Sequence, residues 1–549
     1  MRPAACCAAG LNHVRIQIPG AGPESGVGRR KQMKERMVEV ESGRLQGIFG
    51  YDPRITVFKG VPYAAPPVGK LRWRAPQPVE KWEGVRLCAE YGPMAMQDTP
   101  GADPDDFWTK ELHPAGPEFS MSEDCLYLNV FTPAKTGDEH LPVLVYIHGG
   151  GLMGGYPYEI EFDWEHMARK GIVVVAIAYR LGVFGFLSHP WIRAENPDEP
   201  VGCYGHLDQM AAIQWVHRNI GAFGGDPEKV TIAGQSAGAG SVMTMLGAAE
   251  GKDLFRGAIV QSGIFFNFRD TPTGRSDTTE EQALAAGAEF FEALGVKSLD
   301  EARSLNAGEI QEFLKTSGRK GRGFGFAAPI GQSFIPNSNE NGLKKDTWGD
   351  RPVIFGYNRG EADLFRRING DRIPETLEEL QNSAESFGSR KEEFLSIAGC
   401  GTDEDVKALA KQPAYSVLEI SASMAGTIRD RQGHRTYIYE FDVDIPGEDH
   451  PGSFHGAELC FAYDALARTW RPFTGKHYDM ARIVSSYWVN FVKTGDPNGV
   501  TNYGEPLPEW KAYTEKEPAK MLFTLEEART VPSEMSALTR FRIEENMQP

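Results

Sequence analysis

The chain has 549 residues, 41% hydrophobic and 24% charged, the proportions of an ordinary globular protein with material for a sizeable core. Its 75 acidic and 58 basic residues leave a formal charge of −17, which argues against a nucleic-acid or anionic-membrane partner. No apolar run reaches the length of a transmembrane span.

Seven cysteines are scattered at Cys6, Cys7, Cys88, Cys125, Cys203, Cys400 and Cys460. An odd number with no metal-ligand spacing points to free thiols in a reducing compartment and to no bound metal. The stretch from Ala4 to Leu11 is short, weakly apolar and preceded by a single Arg, a poor signal peptide. A cytoplasmic location is therefore expected ahead of secretion.

Residues 1–36 lack sustained periodicity and end in a charged run, so a disordered lead-in is expected there. Order is expected from Met37, where Val38-Glu39-Val40 alternates as a strand does. From Leu141 the pattern becomes apolar, β-branched runs separated by helical stretches. Leu141–Ile147, Ile172–Ile177, Val230–Ala233 and Ala258–Val260 read as strands buried on both faces. Gln209–Asn219 has helical spacing through Met210, Ile213, Trp215 and Val216. Val353–Phe355 and Tyr437–Tyr439 resume the strand pattern. This alternation predicts an α/β protein with a mostly parallel sheet covered by helices on both faces. Residues 271–350 and 364–435 are helix-rich and charged, and read as insertions forming a lid or gorge wall on a single domain spanning 37–549.

Gly234-Gln235-Ser236-Ala237-Gly238 follows one buried strand and leads straight into a helix-forming run. A Ser at the apex of such a strand–turn–helix is strained, and small residues must flank it. Tyr146-Ile147-His148-Gly149-Gly150-Gly151 follows another strand. Its glycine N–H groups, with that of Ala237, can form an oxyanion hole, whereas the Gly-Lys-Ser/Thr of a phosphate loop is absent. In this architecture the acid and then the histidine follow the nucleophile. Glu361 and Asp363 are two acids after the strand Val353–Phe355, and His455 stands in a glycine-flanked loop near His450. Spacing alone leaves both choices open.

Several further motifs accompany these. They include Phe58-Lys59-Gly60-Val61-Pro62-Tyr63, Ser122-Glu123-Asp124-Cys125-Leu126-Tyr127-Leu128-Asn129, Tyr179-Arg180-Leu181-Gly182 and Phe223-Gly224-Gly225-Asp226-Pro227. Together with the Gly loop and the Ser turn, they resemble the type-B carboxylesterase family, from about Gly43 to about residue 515. The resemblance implies an α/β-hydrolase that cleaves carboxylic esters through Ser236 as nucleophile, His455 as base and Glu361 as acid. It implies Gly150, Gly151 and Ala237 as oxyanion donors, an acyl-enzyme, and no cofactor or metal. It also implies a structural ion pair between Glu123 and Arg180.

Three positions depart from the family pattern. Gln235 stands where Glu is usual, Ala95 where Cys125 usually finds a disulfide partner (Cys88 being the alternative), and Cys203 where Asn is usual. Leu152, Met153, Phe265 and Phe266 are candidates for an apolar pocket suited to small or medium, apolar or aryl esters. The same site would equally suit amides, thioesters or lactones, and a non-catalytic binding protein on this fold is the remaining alternative. A small-molecule ester is the expected partner, and a monomer or homodimer the expected state.

Overall fold

The computed structural model describes residues 36–103, 105–113, 120–263, 278–318, 324–361, 374–410, 417–533 and 535–547. In chain order the strands are β1 (Met37–Val40), β2 (Gly43–Gln46), β3 (Ile48–Phe49), β4 (Thr56–Pro62), β5 (Val85–Leu87), β6 (Tyr127–Thr132) and β7 (Leu141–Ile147). They continue as β8 (Val173–Ile177), β9 (Gly225–Gln235), β10 (Gly257–Gln261), β11 (Val353–Asn358), β12 (Thr436–Asp442), β13 (Ala519–Thr524) and β14 (Ala528–Pro532). β1, β2 and β5 form a small sheet, and the other eleven form one large sheet in the order β14-β13-β12-β11-β10-β9-β7-β8-β6-β4-β3. The stretch from β13 to β8 is wholly parallel, with antiparallel strands only at the two margins.

The β-branched runs form central strands because both of their faces are covered. Val143, Val145 and Ile147 of β7 enter one core cluster while Leu144 and Tyr146 enter the other. Val173, Val175 and Ile177 of β8 likewise face away from Val174 and Ala176. This period of two follows from strand geometry, and the absence of a polar face means water meets neither side. The helix Tyr204–Asn219 covers the first face through Met210, Ile213 and Val216. Gly475–Thr494 covers the second through Met480, Val484, Trp488 and Phe491. It starts in a Thr474/His477 capping box and stops at Gly495, whose φ of 76° ends the helix.

The helical stretches expected near 271–350 and 364–435 contain Glu280–Leu294, Ala307–Thr316, Leu377–Ala384 and Lys391–Ala398 among their described residues. Val417–Arg431, in the second stretch, belongs to the sheet's own covering layer. Its Leu418, Ala422, Ala425 and Ile428 share a core cluster with Val353 and Phe355 of β11. Among the described residues, no helix is long and apolar enough to cross a membrane.

Candidate active site

Parallel strands carry their outgoing loops at one sheet edge, and in this architecture the site forms there. β7, β9, β10, β11 and β12 lead at that edge into the segments carrying Gly149, Ser236, Ser262, Glu361 and His455 respectively.

Ser236 stands between β9 and the helix Ala237–Gly247, with φ 56° and ψ −121°. A non-glycine residue held in this region costs about 1–3 kcal/mol, so the surroundings must impose it. The Ser236 N–H donates to Gln261 O at 2.9 Å, and its carbonyl accepts from Gly240 N–H at 3.0 Å. Packing here excludes side chains on either side. A Cβ on Gly234 would stand 2.5 Å from Gly238 O, and one on Gly238 would overlap Ile147 O. Ala237 is the first helical residue, so its N–H has no carbonyl a turn behind it and is available to a ligand.

The glycine loop after β7 lies against this turn. A Cβ on Gly149 would stand 2.9 Å from Gln235 O and 3.4 Å from Ser236 Cβ. Gly150 has φ 96° and Gly151 φ 67°, conformations that favour glycine. Gly150 O accepts from Met153 N and Gly154 N, each at 3.0 Å, which closes the turn. His148 anchors it from beneath: its ring stacks on Tyr179 at 4.4 Å, and its carbonyl accepts from Tyr179 Oη at 2.8 Å. Burial pushes His148 down to about 4, so it stays neutral. Leu152 packs on the core while Met153 is 44% exposed. Phe265, Phe266 and Asp363 lie outside the described residues.

Glu361 and His455 are brought together: Nδ1 of His455 lies 3.0 Å from Oε2 of Glu361. The other oxygen of Glu361 accepts from the Asn358 backbone N–H at 2.6 Å and from Ser262 Oγ at 2.5 Å. This buried carboxylate is thus held from two sides. The other histidines after Glu361 have different surroundings. His450 is exposed, His434 pairs with Asp346 at 2.8 Å, and His477 caps a helix.

Two further groups surround His455. Gln235, next to Ser236 in the chain, places its side-chain Nε2 3.2 Å from His455 Nε2. Glu458, three residues past His455, is fully buried behind the pair. Its carboxylate accepts from Gln261 Nε2 at 3.2 Å, from Tyr439 Oη at 3.4 Å and from the Asn358 side chain. Burial first, then the Glu361 charge, pushes Glu458 up to about 7. Sequence reasoning missed Ser262, Asn358 and Glu458; the only available signal was their position at strand ends or beside His455.

The contact at Gln235 yields a pH prediction. An amide N–H donating to Nε2 uses the imidazole lone pair and so favours the neutral ring. A carboxylate there would favour the imidazolium, by on the order of 1–3 kcal/mol at intermediate dielectric. Gln235→Glu is expected to move the acid limb of the kcat/KM profile up by about 1–2 pH units. Activity then falls at pH 6 and is retained at pH 8.5. An unmoved limb would refute the role given to this contact.

The expected Glu123–Arg180 pair does not form. Arg180 is buried in a bidentate pair with Asp208, both bonds 2.7 Å, and its backbone N–H donates to the same carboxylate at 3.1 Å. Glu123 is occupied by Arg72, whose Nε donates to it at 2.6 Å. Arg180 takes the acid that satisfies both its guanidinium and its backbone in a dry core, leaving Glu123 to the nearer Arg72. Among the described residues the cysteines are free, so Cys88 does not replace the missing partner of Cys125. Cys203 is a wholly buried core side chain immediately before the helix Tyr204–Asn219, and burial pushes its thiol up to about 12.

An eleven-strand sheet with a strained Ser turn and a glycine loop at one edge is the α/β-hydrolase fold. A family model described as the carboxylesterase family matches residues 34–539. The chain belongs to that family and hydrolyses carboxylic ester bonds. It is 33% identical to the liver carboxylesterase of Sus scrofa, the match covering 88% of each chain. Against the para-nitrobenzyl esterase of Bacillus subtilis (strain 168) the identity is 30%, over 88% of this chain and 94% of the relative. A solved PNB esterase aligns with a TM-score of 0.74 at 28% identity, covering 93% of this chain and 100% of that one.

Proposed function

We propose that this carboxylesterase acts by two-step acyl transfer on small or medium, apolar or aryl esters. His455 takes the proton from Ser236 as its oxygen attacks the ester carbonyl, and Glu361 orients and stabilises the imidazolium. The N–H groups of Gly150, Gly151 and Ala237 receive the oxyanion, the tetrahedral intermediate collapses, and His455 returns its proton to the departing alcohol. Water activated by the same imidazole then cleaves the acyl-enzyme. No metal or cofactor enters either step.

The observation that carries this reading is the His455 Nδ1–Glu361 Oε2 contact of 3.0 Å, with the opposite ring nitrogen turned to Gln235, the chain neighbour of Ser236. A histidine whose Nδ1 faces a buried carboxylate carries its proton there and leaves Nε2 as the basic nitrogen, whose lone pair the Gln235 amide must yield to the Ser236 proton. The test is to mix the enzyme with para-nitrophenyl butyrate, quench within the pre-steady-state phase and sequence the modified peptide by mass spectrometry. A burst of nitrophenolate with butyrylation at Ser236 supports the mechanism. Turnover without acylation of Ser236 would overturn it.

A further inference from the structure

We propose that Trp108 forms the wall of the ester site that contacts the alcohol half of the substrate, held in position by a Glu111–Arg471–Asp449 latch. This rests on His455 acting as the base.

The short helix Phe107–Leu112 is capped at its start by Asp106, whose carboxylate accepts from Thr109 N–H at 2.9 Å. Residues three and four apart share a helix face, so Glu111 lies beside both Phe107 and Trp108. Glu111 is buried and grips Arg471 through two bonds, Nη2–Oε1 at 2.5 Å and Nε–Oε2 at 3.0 Å. The same guanidinium binds Asp449 twice, each at 3.0 Å, and Pro446 O at 3.1 Å. Asp449 and Pro446 belong to the loop that carries His455. One arginine therefore ties this helix to the histidine loop, and a planar guanidinium with fixed donors suits that role better than a lysine.

Closing the latch brings three aromatic rings to the histidine. Phe107 meets Phe454 edge-on at 5.1 Å, and Trp108 lies 6.4 Å from Phe454. Trp108 also lies 6.4 Å from the His455 ring, perpendicular to it at 89°. Phe454 is buried, whereas Trp108 is only half-buried and has surface left to offer.

The direction of proton transfer says which half of the substrate meets that surface. The carbonyl oxygen points into the glycine loop and Ala237. The alcohol oxygen must come within hydrogen-bonding reach of His455 Nε2 to collect its proton. An aromatic ring packed on the imidazole therefore borders the alcohol, not the acyl chain. Arg471 engages both latch acids, so their carboxylates are turned to its guanidinium, and the Trp108 surface itself is apolar, suited to aryl and other apolar alcohols.

The experiment compares Trp108→Ala and Trp108→Phe with the unsubstituted enzyme on two ester series. One fixes the acetyl group and varies the alcohol (methyl, benzyl, para-nitrophenyl); the other fixes para-nitrophenol and lengthens the acyl chain. Trp108→Ala is expected to lower kcat/KM for the benzyl and nitrophenyl acetates about tenfold or more relative to methyl acetate. Trp108→Phe should restore most of the discrimination. The deacylation rate constant, measured after the alcohol has left, should not change. Glu111→Gln, which keeps the shape but loosens the latch, should give the same selective loss at smaller size. Equal losses on methyl and aryl acetates, a slowed deacylation, or an altered acyl-chain profile would each overturn the assignment. A parent enzyme that forms no Ser236 acyl-enzyme overturns the mechanism first and the wall with it; normal acylation without alcohol selectivity overturns the wall alone.

Discussion

Ser236→Ala is expected to lower kcat by about 10⁶-fold, to a residual rate about 10³-fold above the uncatalysed reaction. The substitution removes one oxygen and leaves the turn intact. The positive φ at 236 is imposed by the Gly234–Gly238 approach and the backbone bonds to Gln261 and Gly240, none of which needs the hydroxyl. An Ala in that position carries the same Cβ as the Ser, so the strain and the melting temperature should be unchanged. Under the proposed mechanism the residual rate then reports on what remains: the N–H groups of Gly150, Gly151 and Ala237, and the binding site. Adding an oxyanion-hole lesion to Ser236→Ala should lower it further, each donor being worth about 3–4 kcal/mol. Initial rates on para-nitrophenyl butyrate, with active-site concentration fixed by absorbance, provide the measurement. A variant keeping more than about 1% of kcat would mean that the nucleophile lies elsewhere.

The parts of this protein that could be read in its sequence are those set by local rules. β7 and β8 show as unbroken apolar runs because both faces of a central parallel strand are dry. The strained turn at Ser236 shows because its backbone approach tolerates only glycine at 234 and 238. Contacts between distant segments left weaker traces. Asp208 and Glu123 are both acids in conspicuous motifs, and nothing local says that Arg180 chooses the first. The choices of Glu361 over Asp363 and of His455 over His450 needed the family resemblance, because loop residues carry no periodicity. Phe107–Leu112 is six residues long, too short for a periodic signal, and its closeness to His455 depends on Arg471, more than 300 positions away. Val417–Arg431 reads as part of an insertion because its small and polar residues hide a sheet-facing stripe of Leu418, Ala422, Ala425 and Ile428.

Glu361→Gln should cost about 10⁴-fold in kcat while barely changing the binding of substrate. The carboxylate does two things that an amide cannot both retain. In the proposed mechanism it accepts the Nδ1 N–H of His455, which leaves Nε2 as the basic nitrogen, and it stabilises the imidazolium that follows. Its second oxygen is already an acceptor for the Asn358 N–H and the Ser262 hydroxyl. A Gln that keeps its carbonyl toward those two donors must present its NH₂ to Nδ1, which favours the tautomer with the proton on Nε2, where it blocks the reaction. A Gln turned the other way meets the Asn358 N–H with a donor, and loses that buried hydrogen bond at about 1–3 kcal/mol. The first arrangement disables the base, and the second keeps its tautomer only without that bond and without the charge that stabilises the imidazolium. Glu458 cannot take over, since its oxygens are held by Gln261, Tyr439 and Asn358. Raising the pH should therefore fail to rescue the variant even when Glu458 has fully ionised. Recovery of activity above pH 8 would show that Glu458 can serve as the acid and would displace Glu361 from its assigned role. The pH profile of kcat, with KM as the internal control for binding, decides between them.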